Sequence, residues 1–421
     1  MKIVFLTDAY HLSENANGAC ARQIAIEMKN RGHDIHVICW RIPGEGASQQ
    51  IDGISVHRIY SGFIYTGFAR IRHIKNAKLA KIYFFLCLIL RGISAIVHLP
   101  VFPVSSFLRA NRYYRAIRKL HKKEKIDIII ANNAPIESVL GMVKAKKKYG
   151  IKSVMYTLDP LTNRPPPSRL SHKFAENQGH KWEKKIYRVI DLVLNLKSYS
   201  KHFEQKSYRE YREKMRLIDI PLYVPGSIMV KSDYFDAGFV HMVYAGALTA
   251  LRNPEYLCQM LQPQKKCILH FYTRGGYEKL LESYNKKTNG AIICHGYVGH
   301  DELQKIYHGA DILVSIGNRE SEFLPSKIFA YMATGKKIIH LYTGDADSSL
   351  PYLRQYPHAL LIDERGDYAE NIRRVGEFIV LPPSGDIDME HLKDVFIMNT
   401  PEYTADLIFD FFQKEMKDGG M

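Results

Sequence analysis

The chain has 421 residues and carries a formal net charge of +16 at pH 7. This length is sufficient for two domains. Its six cysteines form no Cys-x-x-Cys pair, which predicts free thiols in a reducing cytoplasm and argues against a disulfide framework. The amino terminus begins directly with an apolar strand pattern, so we expect no signal peptide before the fold.

The amino-terminal half is predicted to be a doubly wound α/β domain. Residues 1–7 form an apolar run that is typical of a buried strand, and a turn is predicted at 15–18. A helix is then predicted at 19–31, followed by a second strand at 35–40. Gly18 stands alone, whereas the dinucleotide fingerprint needs three glycines at set spacing, so dinucleotide binding is disfavoured.

The segment from Ser61 to Lys125 combines a strong basic bias with a long aliphatic run. It contains 14 Lys or Arg residues and one acidic residue, Glu124, so it carries +13 of the total charge of +16. The aliphatic run at 82–90 is interrupted by Arg91, and a spanning helix needs about 20 apolar residues. We therefore expect a helix or helical hairpin that lies in the lipid headgroup region rather than across the bilayer.

The basic residues around this run predict an anionic membrane as a partner. Each cation near an acidic bilayer adds about 1 kcal/mol of binding free energy, and Tyr113 and Tyr114 fit an interfacial position. A buried helix with a solvated basic face is the alternative; nucleic acid is disfavoured because no recognised binding motif accompanies the charge. The cations predicted to face lipid are Lys75, Lys78, Lys81, Arg109, Arg112, Arg115 and Arg118.

Two further strands of this half run into polar residues. The strand predicted at 126–131 is followed by Asn132, and the strand predicted at 152–157 is followed by Asp159. Parallel sheets hold ligands just past the carboxyl ends of their strands. Asp159 could stabilise a developing positive charge or accept a proton, or it could simply cap a turn. A mobile loop is predicted at 163–167.

The carboxy-terminal half alternates strands and helices and is predicted to be a second doubly wound domain. We expect an amino-terminal domain at 1–200, with the basic insertion at about 61–125, and a linker at 201–237. The second domain is predicted at 238–400, and a helix at 401–421 is expected to return to the first domain.

The segment 311–339 follows the order strand, acidic loop, helix, glycine and strand. Pro325 is tolerated in a first helical turn because that turn needs no N–H from it. Ser326 and Lys327 fall in the same turn, where backbone N–H groups and the helix dipole can hold a phosphate. With Glu322 before the helix, these groups could bind a sugar joined to a diphosphate; a ligand-free α/β crossover is the alternative.

This segment resembles the donor-binding signature of retaining glycosyltransferases of the GT-B fold, family 4 type. In that signature a Glu, seven residues and a second Glu precede Ala-x-Gly. Glu322 matches the first Glu, which in the family lies beside the donor sugar, whereas Ala330 replaces the second, ribose-binding Glu. Of the Arg and Lys that clamp the diphosphate in the family, the first falls on Ala247 and the second on Arg252.

The resemblance implies two Rossmann-like domains that face each other across a cleft, and it implies roles for individual residues. The donor-binding residues would be Gly18, Gly246, Arg252, Gly296, Tyr297, Ser326 and Lys327. The catalytic residues would be Glu322, beside the donor sugar, and Asp159, on the acceptor side. The residues on the acceptor or membrane side would be Arg22, Arg109, Arg112 and Arg115.

The function implied is transfer of a sugar, with retention, from a nucleotide sugar to a lipid-linked or polysaccharide acceptor. The enzyme would be peripheral at the cytoplasmic face of the plasma membrane, in capsule, O-antigen or exopolysaccharide assembly. No cofactor and no metal is expected, because Asp345-Ala-Asp347 and Asp386-Ile-Asp388 lie too late in the chain for the metal-binding Asp-x-Asp motif. A non-catalytic GT-B relative and a nucleotide-sugar epimerase are the alternatives.

Overall fold

A computed structural model describes residues 1–10, 16–71, 74, 76–167, 170–225, 234–261, 266–318, 324–382 and 385–418. The chain divides into two compact units. The amino-terminal unit consists of Met1–Pro221 together with Pro401–Met421, and the carboxy-terminal unit is Leu222–Thr400. The boundary at Pro221 lies inside the linker that was predicted at 201–237.

The amino-terminal unit is built on an eight-stranded sheet in the order β3-β4-β2-β1-β5-β6-β7-β8. All neighbours pair in parallel except β3 and β4, which are antiparallel. The strands are β1 Lys2–Leu6, β2 Asp34–Arg41, β3 Ser48–Ile51, β4 Ile54–Tyr60, β5 Ile128–Asn132, β6 Lys152–Thr157, β7 Leu192–Leu196 and β8 Met215–Ile218. Every residue of β1, β5 and β7 is buried, because helices cover both faces of a parallel sheet.

Seven helices of this unit precede the crossing to the second unit in the described part of the chain. They are α1 Ala16–Asn30, α2 Phe63–Ile71, α3 Ala77–His98, α4 Phe107–Lys123, α5 Ile136–Tyr149, α6 His172–Tyr187 and α7 Ser200–Phe203. Short 3-10 helices lie at Leu99–Val101, Leu161–Asn163, Lys197–Tyr199 and Lys206–Lys214.

The carboxy-terminal unit has a six-stranded, all-parallel sheet in the order β11-β10-β9-β12-β13-β14. Its strands are β9 Val240–Ala247, β10 Cys267–Arg274, β11 Ile292–Cys294, β12 Ile312–Ile316, β13 Lys337–Tyr342 and β14 Ala359–Asp363. Its helices are α8 Glu255–Leu261, α9 Glu278–Lys287, α10 His300–Gly309, α11 Lys327–Met332, α12 Leu350–Leu353, α13 Tyr368–Val380 and α14 Met389–Val395, with a 3-10 helix at Ile397–Asn399. The prediction of two doubly wound Rossmann-like domains is confirmed.

The closing helix, α15 (Pro401–Asp418), belongs to the amino-terminal unit and packs against α1. The Arg31 guanidinium at the end of α1 forms an ion pair with Asp406. The His33 ring packs on Phe409 with the ring centroids 4.9 Å apart. The last helix thus packs within the amino-terminal unit.

Two local predictions differ from the structure, and a contact anchors one residue of a predicted loop. The turn predicted at 15–18 is wrong at Ala16 to Gly18, since these residues already belong to α1. The largely apolar sequence at 292–298 predicts a strand that extends to Val298, but the strand ends at Cys294, and Gly296 adopts a left-handed φ of +75° that a strand does not allow. In the loop predicted at 163–167, Arg164 is anchored, because its guanidinium donates a hydrogen bond to the Asn133 carbonyl at 3.3 Å.

Candidate functional site

A pocket of about 190 Å³ lies at the carboxyl end of β9 in the carboxy-terminal unit. We call it the strand-end pocket. It is lined by Ala245, Gly246, Ala247, Tyr272, Tyr297, Val298, Leu303 and Lys327. Because β9 lies in the middle of its sheet, between β10 and β12, this pocket occupies the position where parallel sheets hold ligands.

Lys327 supplies the positive charge that reaches into the strand-end pocket. Its ammonium donates a hydrogen bond to the Ala245 carbonyl at 2.7 Å. Burial, with a further contribution from the nearby Arg252, lowers the pKa of Lys327 from 10.5 to about 8. The ammonium is thus charged at neutral pH but poorly solvated, and an anionic ligand would stabilise it.

The helix that carries Lys327 is shorter than its sequence suggested. α11 has six residues, and Ser326 occupies the position before its first residue, with no hydrogen bond from its side chain to the first turn. The predicted glycine stop is present, because Gly335 follows the helix with a φ of +67°. A dipole of so short a helix is weak, so the pocket's charge comes mainly from the Lys327 side chain.

Arg252 brings a second cation to the same strand end. A β-bridge between Thr249 and Arg252 shapes the loop after β9. The Arg252 Nε donates to the Asn318 side-chain oxygen at 2.7 Å, and its charge acts on Lys327 and on buried Tyr331. Asn318, which follows β12, is a site residue that sequence reasoning missed because no motif marks it.

Glycines and a tyrosine define the walls around these cations. Gly275, with a φ of +135°, lies so close to the loop after β9 that an added Cβ would meet the Leu248 carbonyl oxygen at 2.4 Å. Gly246 lines the pocket itself, and Gly296 turns the chain so that Tyr297, which is 51% exposed, lines it as well. The structure therefore brings Gly246, Tyr297 and Lys327 together in one pocket.

A row of three histidines runs across the sheet beside this pocket. The His241 Nδ1 lies 3.0 Å from the His270 Nε2, and the His270 Nδ1 lies 2.9 Å from the His295 Nε2. Burial, reinforced by the two flanking histidines, lowers the pKa of His270 to about 3, so it is neutral at pH 7. His295 stacks on the pocket residue Tyr272 with centroids 4.6 Å apart. These rings connect β9, β10 and β11 through hydrogen bonds, which is a structural role.

In the amino-terminal unit, polar side chains gather at the carboxyl ends of β5, β6 and β7. The Asp159 carboxylate accepts a hydrogen bond from the Tyr199 hydroxyl at 3.0 Å. The Asn133 amide donates to the Asp159 backbone carbonyl, and Asp159 interacts electrostatically with the half-buried Arg164. Asp159 is thus part of a charged polar cluster, and sequence reasoning missed Arg164 and Tyr199 because they come from separate loops.

Gly18 and Arg22 both lie in α1 of this unit. Gly18 is buried. Arg22 is 6% exposed, and its guanidinium forms an ion pair with Asp52 at 2.8 Å, in the turn between β3 and β4. Arg22 therefore has a structural partner, and its assignment to the acceptor stays a prediction.

The aliphatic part of the basic segment forms one continuous helix, and most of the side chains of this helix are exposed. α3 has 22 residues, of which Cys87 is buried, and α2 packs on that side through a contact between Phe68 and Phe84. Most of the remaining apolar side chains are exposed, up to 73% at Ile96. By length and composition, the segment Ala77–Val101 could cross a membrane, so the helix is longer than the interrupted run in the sequence indicated.

The arginines of α4 divide into two kinds. Arg109 stacks over the Trp40 ring at 4.7 Å, and Arg112 stacks over the Tyr60 ring at 4.8 Å. Arg115 and Arg118 are exposed. The prediction that Tyr113 lies at an interface is wrong, because Tyr113 is fully buried in the core and its hydroxyl donates to the Thr7 carbonyl.

Two features of the predicted donor signature have different outcomes. Glu322 lies outside the described residues. Ala247, at the position of the family's first clamping cation, lines the strand-end pocket.

In the late Asp-x-Asp sequence, Asp347 is buried and its carboxylate lies 3.4 Å from the His340 ring, which gives it a partner within the protein.

No protein-family model and no curated protein matches the chain. Among solved structures, it is similar to sucrose-phosphate synthase from Thermosynechococcus elongatus, with a TM-score of 0.60 and 14% identity over 99% of both chains. It is also similar to a glycosyltransferase from Rickettsia africae, with a TM-score of 0.59 and 13% identity over 99% of this chain and 98% of that one. A third is WaaG, a glycosyltransferase involved in lipopolysaccharide biosynthesis, with a TM-score of 0.54 and 11% identity over 96% and 99%.

These similarities extend over nearly the whole length of each chain. At such low identities they define the fold. The chain has the GT-B fold, the class of two Rossmann-like domains found in these glycosyl-transferring enzymes.

Proposed function

We propose that this protein is a retaining, metal-independent glycosyltransferase. It would transfer a sugar from a nucleotide-sugar donor to a lipid-linked or polysaccharide acceptor at the cytoplasmic face of the membrane, as in capsule or exopolysaccharide assembly. The observation that carries this proposal is the pairing of Lys327 and Arg252 at the strand-end pocket.

The chemistry of sugar transfer explains why two cations at this position matter. Breaking the bond between sugar and nucleotide adds negative charge to the departing diphosphate. Fixed positive groups lower the energy of that charge, and they act more strongly in a pocket with little water. Lys327 is held by the Ala245 carbonyl and Arg252 by Asn318, so neither ammonium nor guanidinium has to reorganise greatly when the donor binds.

The other residues have proposed roles in the same reaction. Ser326 and Gly246 would contact the diphosphate, and Tyr297 would lie against the base. Glu322 would lie beside the donor sugar. Asp159 would act on the acceptor side, where the Tyr199 hydroxyl fixes one of its carboxylate oxygens.

The exposed helix α3 supports the membrane part of the proposal. A helix of 22 residues is about 33 Å long at 1.5 Å per residue. Exposure of its apolar side chains to water is unfavourable, so we expect lipid or a partner to cover them. Lys78 and Lys81 precede its apolar stretch, and Arg115 and Arg118 are exposed on α4. This combination suits contact with an anionic bilayer, from which the enzyme could receive a lipid-linked acceptor.

Donor binding and turnover test the enzymatic part. The purified full-length chain would be screened by thermal shift against UDP-, GDP-, dTDP- and CMP-sugars, since a ligand of the folded state raises the Tm. The donor that binds would then be assayed for release of its nucleotide, and the anomeric configuration of the product would be determined by NMR. We expect retention, and we expect the same rate with and without added Mg²⁺ or Mn²⁺.

The alternatives correspond to distinct outcomes of this screen. Binding of a donor with no hydrolysis or transfer to any acceptor would identify a non-catalytic relative. Conversion of the free nucleotide sugar to its epimer would identify an epimerase. Inverted product would refute the retaining mechanism.

Vesicle binding tests the membrane part. The wild-type chain is expected to co-sediment with vesicles that contain anionic lipid, and Ile93→Glu combined with Ile96→Glu should abolish this. Val380→Glu is the matched control, because Val380 is an equally exposed apolar residue, 73% accessible, in the other unit. Equal sedimentation of all three proteins would refute contact through α3.

A further inference from the structure

A compact cluster of metal-binding side chains lies in the amino-terminal unit, outside the polar groups discussed so far. Two members, His180 and Glu183, are on the same face of α6, three residues apart. The third, His202, belongs to α7. In the chain, α7 follows β7, whereas α6 precedes it. One ligand atom from each of the three lies within 4.8 Å of the others.

A fourth donor atom, the Tyr208 hydroxyl oxygen, lies among these three. It is 2.6 Å from the His180 Nδ1 and 3.2 Å from the His202 Nε2, and it donates a hydrogen bond to the Glu183 carboxylate. The His202 Nε2 is 3.2 Å from the same carboxylate. Zinc bonds to nitrogen and oxygen of about 2.0–2.1 Å place tetrahedral ligand atoms roughly 3.3 Å apart. The Tyr208–His202 and His202–Glu183 separations of 3.2 Å match this spacing, whereas the Tyr208 oxygen lies closer to His180 and Glu183 and would move outward when zinc binds.

The negative charge of the Glu183 carboxylate in this cluster also favours a bound cation. Glu183 is completely buried, with a relative exposure of 0%. In the described part of the chain, no lysine or arginine forms an ion pair with its carboxylate. Its described partners are the Tyr208 hydroxyl, the Leu161 N–H and the His202 ring, and a bound divalent ion would neutralise the charge of this buried carboxylate.

Contacts behind the four atoms resemble the outer shell of a metal site. The second carboxylate oxygen of Glu183 accepts a hydrogen bond from the Leu161 N–H at 2.7 Å. The other ring nitrogen of His180 faces the Glu176 carboxylate at 3.8 Å. Ligands held from behind in this way keep the orientation that a metal requires.

We infer that His180, Glu183, His202 and Tyr208 form a structural zinc site. Two imidazole nitrogens with one carboxylate and one phenol oxygen suit zinc better than calcium or magnesium, which prefer oxygen ligands throughout. Binding replaces the proton that Tyr208 now donates to Glu183, and this proton is released to solvent. All four positions are filled by protein atoms, so the ion has no open position for catalysis.

The site would fix two segments that carry the Asp159 cluster. Leu161, held by Glu183, follows Asp159 closely, and His202 follows Tyr199, whose hydroxyl binds the Asp159 carboxylate. A zinc ion would therefore connect α6 to both segments and fix the positions of Asp159 and Tyr199 relative to each other. This consequence for activity depends on the proposed function, whereas zinc binding itself does not.

Metal retention by the full-length, tag-free chain tests the inference. Wild type, His202→Ala, Glu183→Gln and the control His172→Ala would be loaded with equimolar Zn²⁺ and desalted, and the bound zinc would be measured by plasma mass spectrometry. His172 is an exposed histidine of the same helix, so its variant should retain one zinc per chain, as wild type does. The other two variants should lose stoichiometric zinc.

A second measurement keeps the test decisive if a variant fails to fold. Wild type titrated with Co²⁺ should develop the visible absorption bands of tetrahedral cobalt, which saturate at one ion per chain and disappear when Zn²⁺ is added. Wild type that retains no zinc and shows no such bands would overturn the inference. Folded His202→Ala or Glu183→Gln protein that binds zinc as wild type does would overturn it as well.

Discussion

Replacing Lys327 by methionine separates the two effects of its buried ammonium. In the proposed function the ammonium would stabilise a bound diphosphate, but in the free protein it is a charge with little solvation. The variant should therefore bind the donor less well and yet unfold at a higher temperature than wild type. Methionine keeps the length and apolar stem of lysine, so the change is mainly one of charge.

The magnitudes follow from the structure. A hydrogen bond to a charged group contributes about 1.5–3 kcal/mol, so the Kd for the donor should rise roughly 10- to 150-fold. The pKa of Lys327 falls from 10.5 in the unfolded chain to about 8 in the folded one, which corresponds to a cost of up to about 3 kcal/mol at neutral pH. Loss of the hydrogen bond to the Ala245 carbonyl offsets part of that gain.

The direction of the pKa change of Lys327 predicts how the stability difference between the variant and wild type varies with pH. Because the folded-state pKa is the lower one, the cost is complete below pH 8 and disappears as the pH rises to 10.5. The stability advantage of Lys327→Met should therefore shrink over this range. Donor affinity of wild type should fall as the pH rises through about 8, while that of the variant should stay flat.

Thermal denaturation and donor titration across pH 6–10 measure both effects, with Lys286→Met as the control. Lys286 is an exposed lysine of α9 in the same unit, so its variant should match wild type. A lower Tm for Lys327→Met at pH 7, together with unchanged donor affinity, would show that the ammonium stabilises the fold and does not bind the donor.

Three further variants test single contacts. Arg252→Gln keeps a donor near Asn318 but removes the charge, so donor affinity should fall about 10-fold or more in the same titration; unchanged affinity would remove Arg252 from the site. Gly275→Ala places a Cβ 2.4 Å from the Leu248 carbonyl at a φ of +135°, and urea denaturation should show a loss of about 1–3 kcal/mol. Tyr113→Phe leaves the buried Thr7 carbonyl without its donor and should cost about 1–3 kcal/mol; wild-type stability of either variant would contradict the packing described.

Local sequence was sufficient for the elements whose pattern is set by burial on both faces. The runs that became β1 and β12 are almost entirely apolar, because strands of a covered parallel sheet contact helices on either side. Element ends were less well predicted. Ala16 to Gly18 looks like a turn from its Asn and Gly content, yet the packing of α1 makes it helical.

Local sequence was also insufficient to predict the length of the helix that is expected to contact the membrane. The sequence predicted a segment in contact with lipid from its charge and its aliphatic run, and Arg91 indicated that the apolar run is too short to cross the bilayer. The structure shows that Arg91 is exposed within an unbroken helix. A single charged residue does not end a helix, since arginine is a good helix former.

The sequence by itself determined the fold class, the glycine turns and the candidate residues Arg252 and Lys327. Only the tertiary structure decided which residues meet: Lys327 with the Ala245 carbonyl, Arg252 with Asn318, and two histidines of separate helices around one buried carboxylate. The physical reason is that strand order, not distance along the chain, sets which loops are neighbours at the end of a parallel sheet. A residue's neighbours in space leave no periodic signal in its local sequence, so they become visible only once the sheet is assembled.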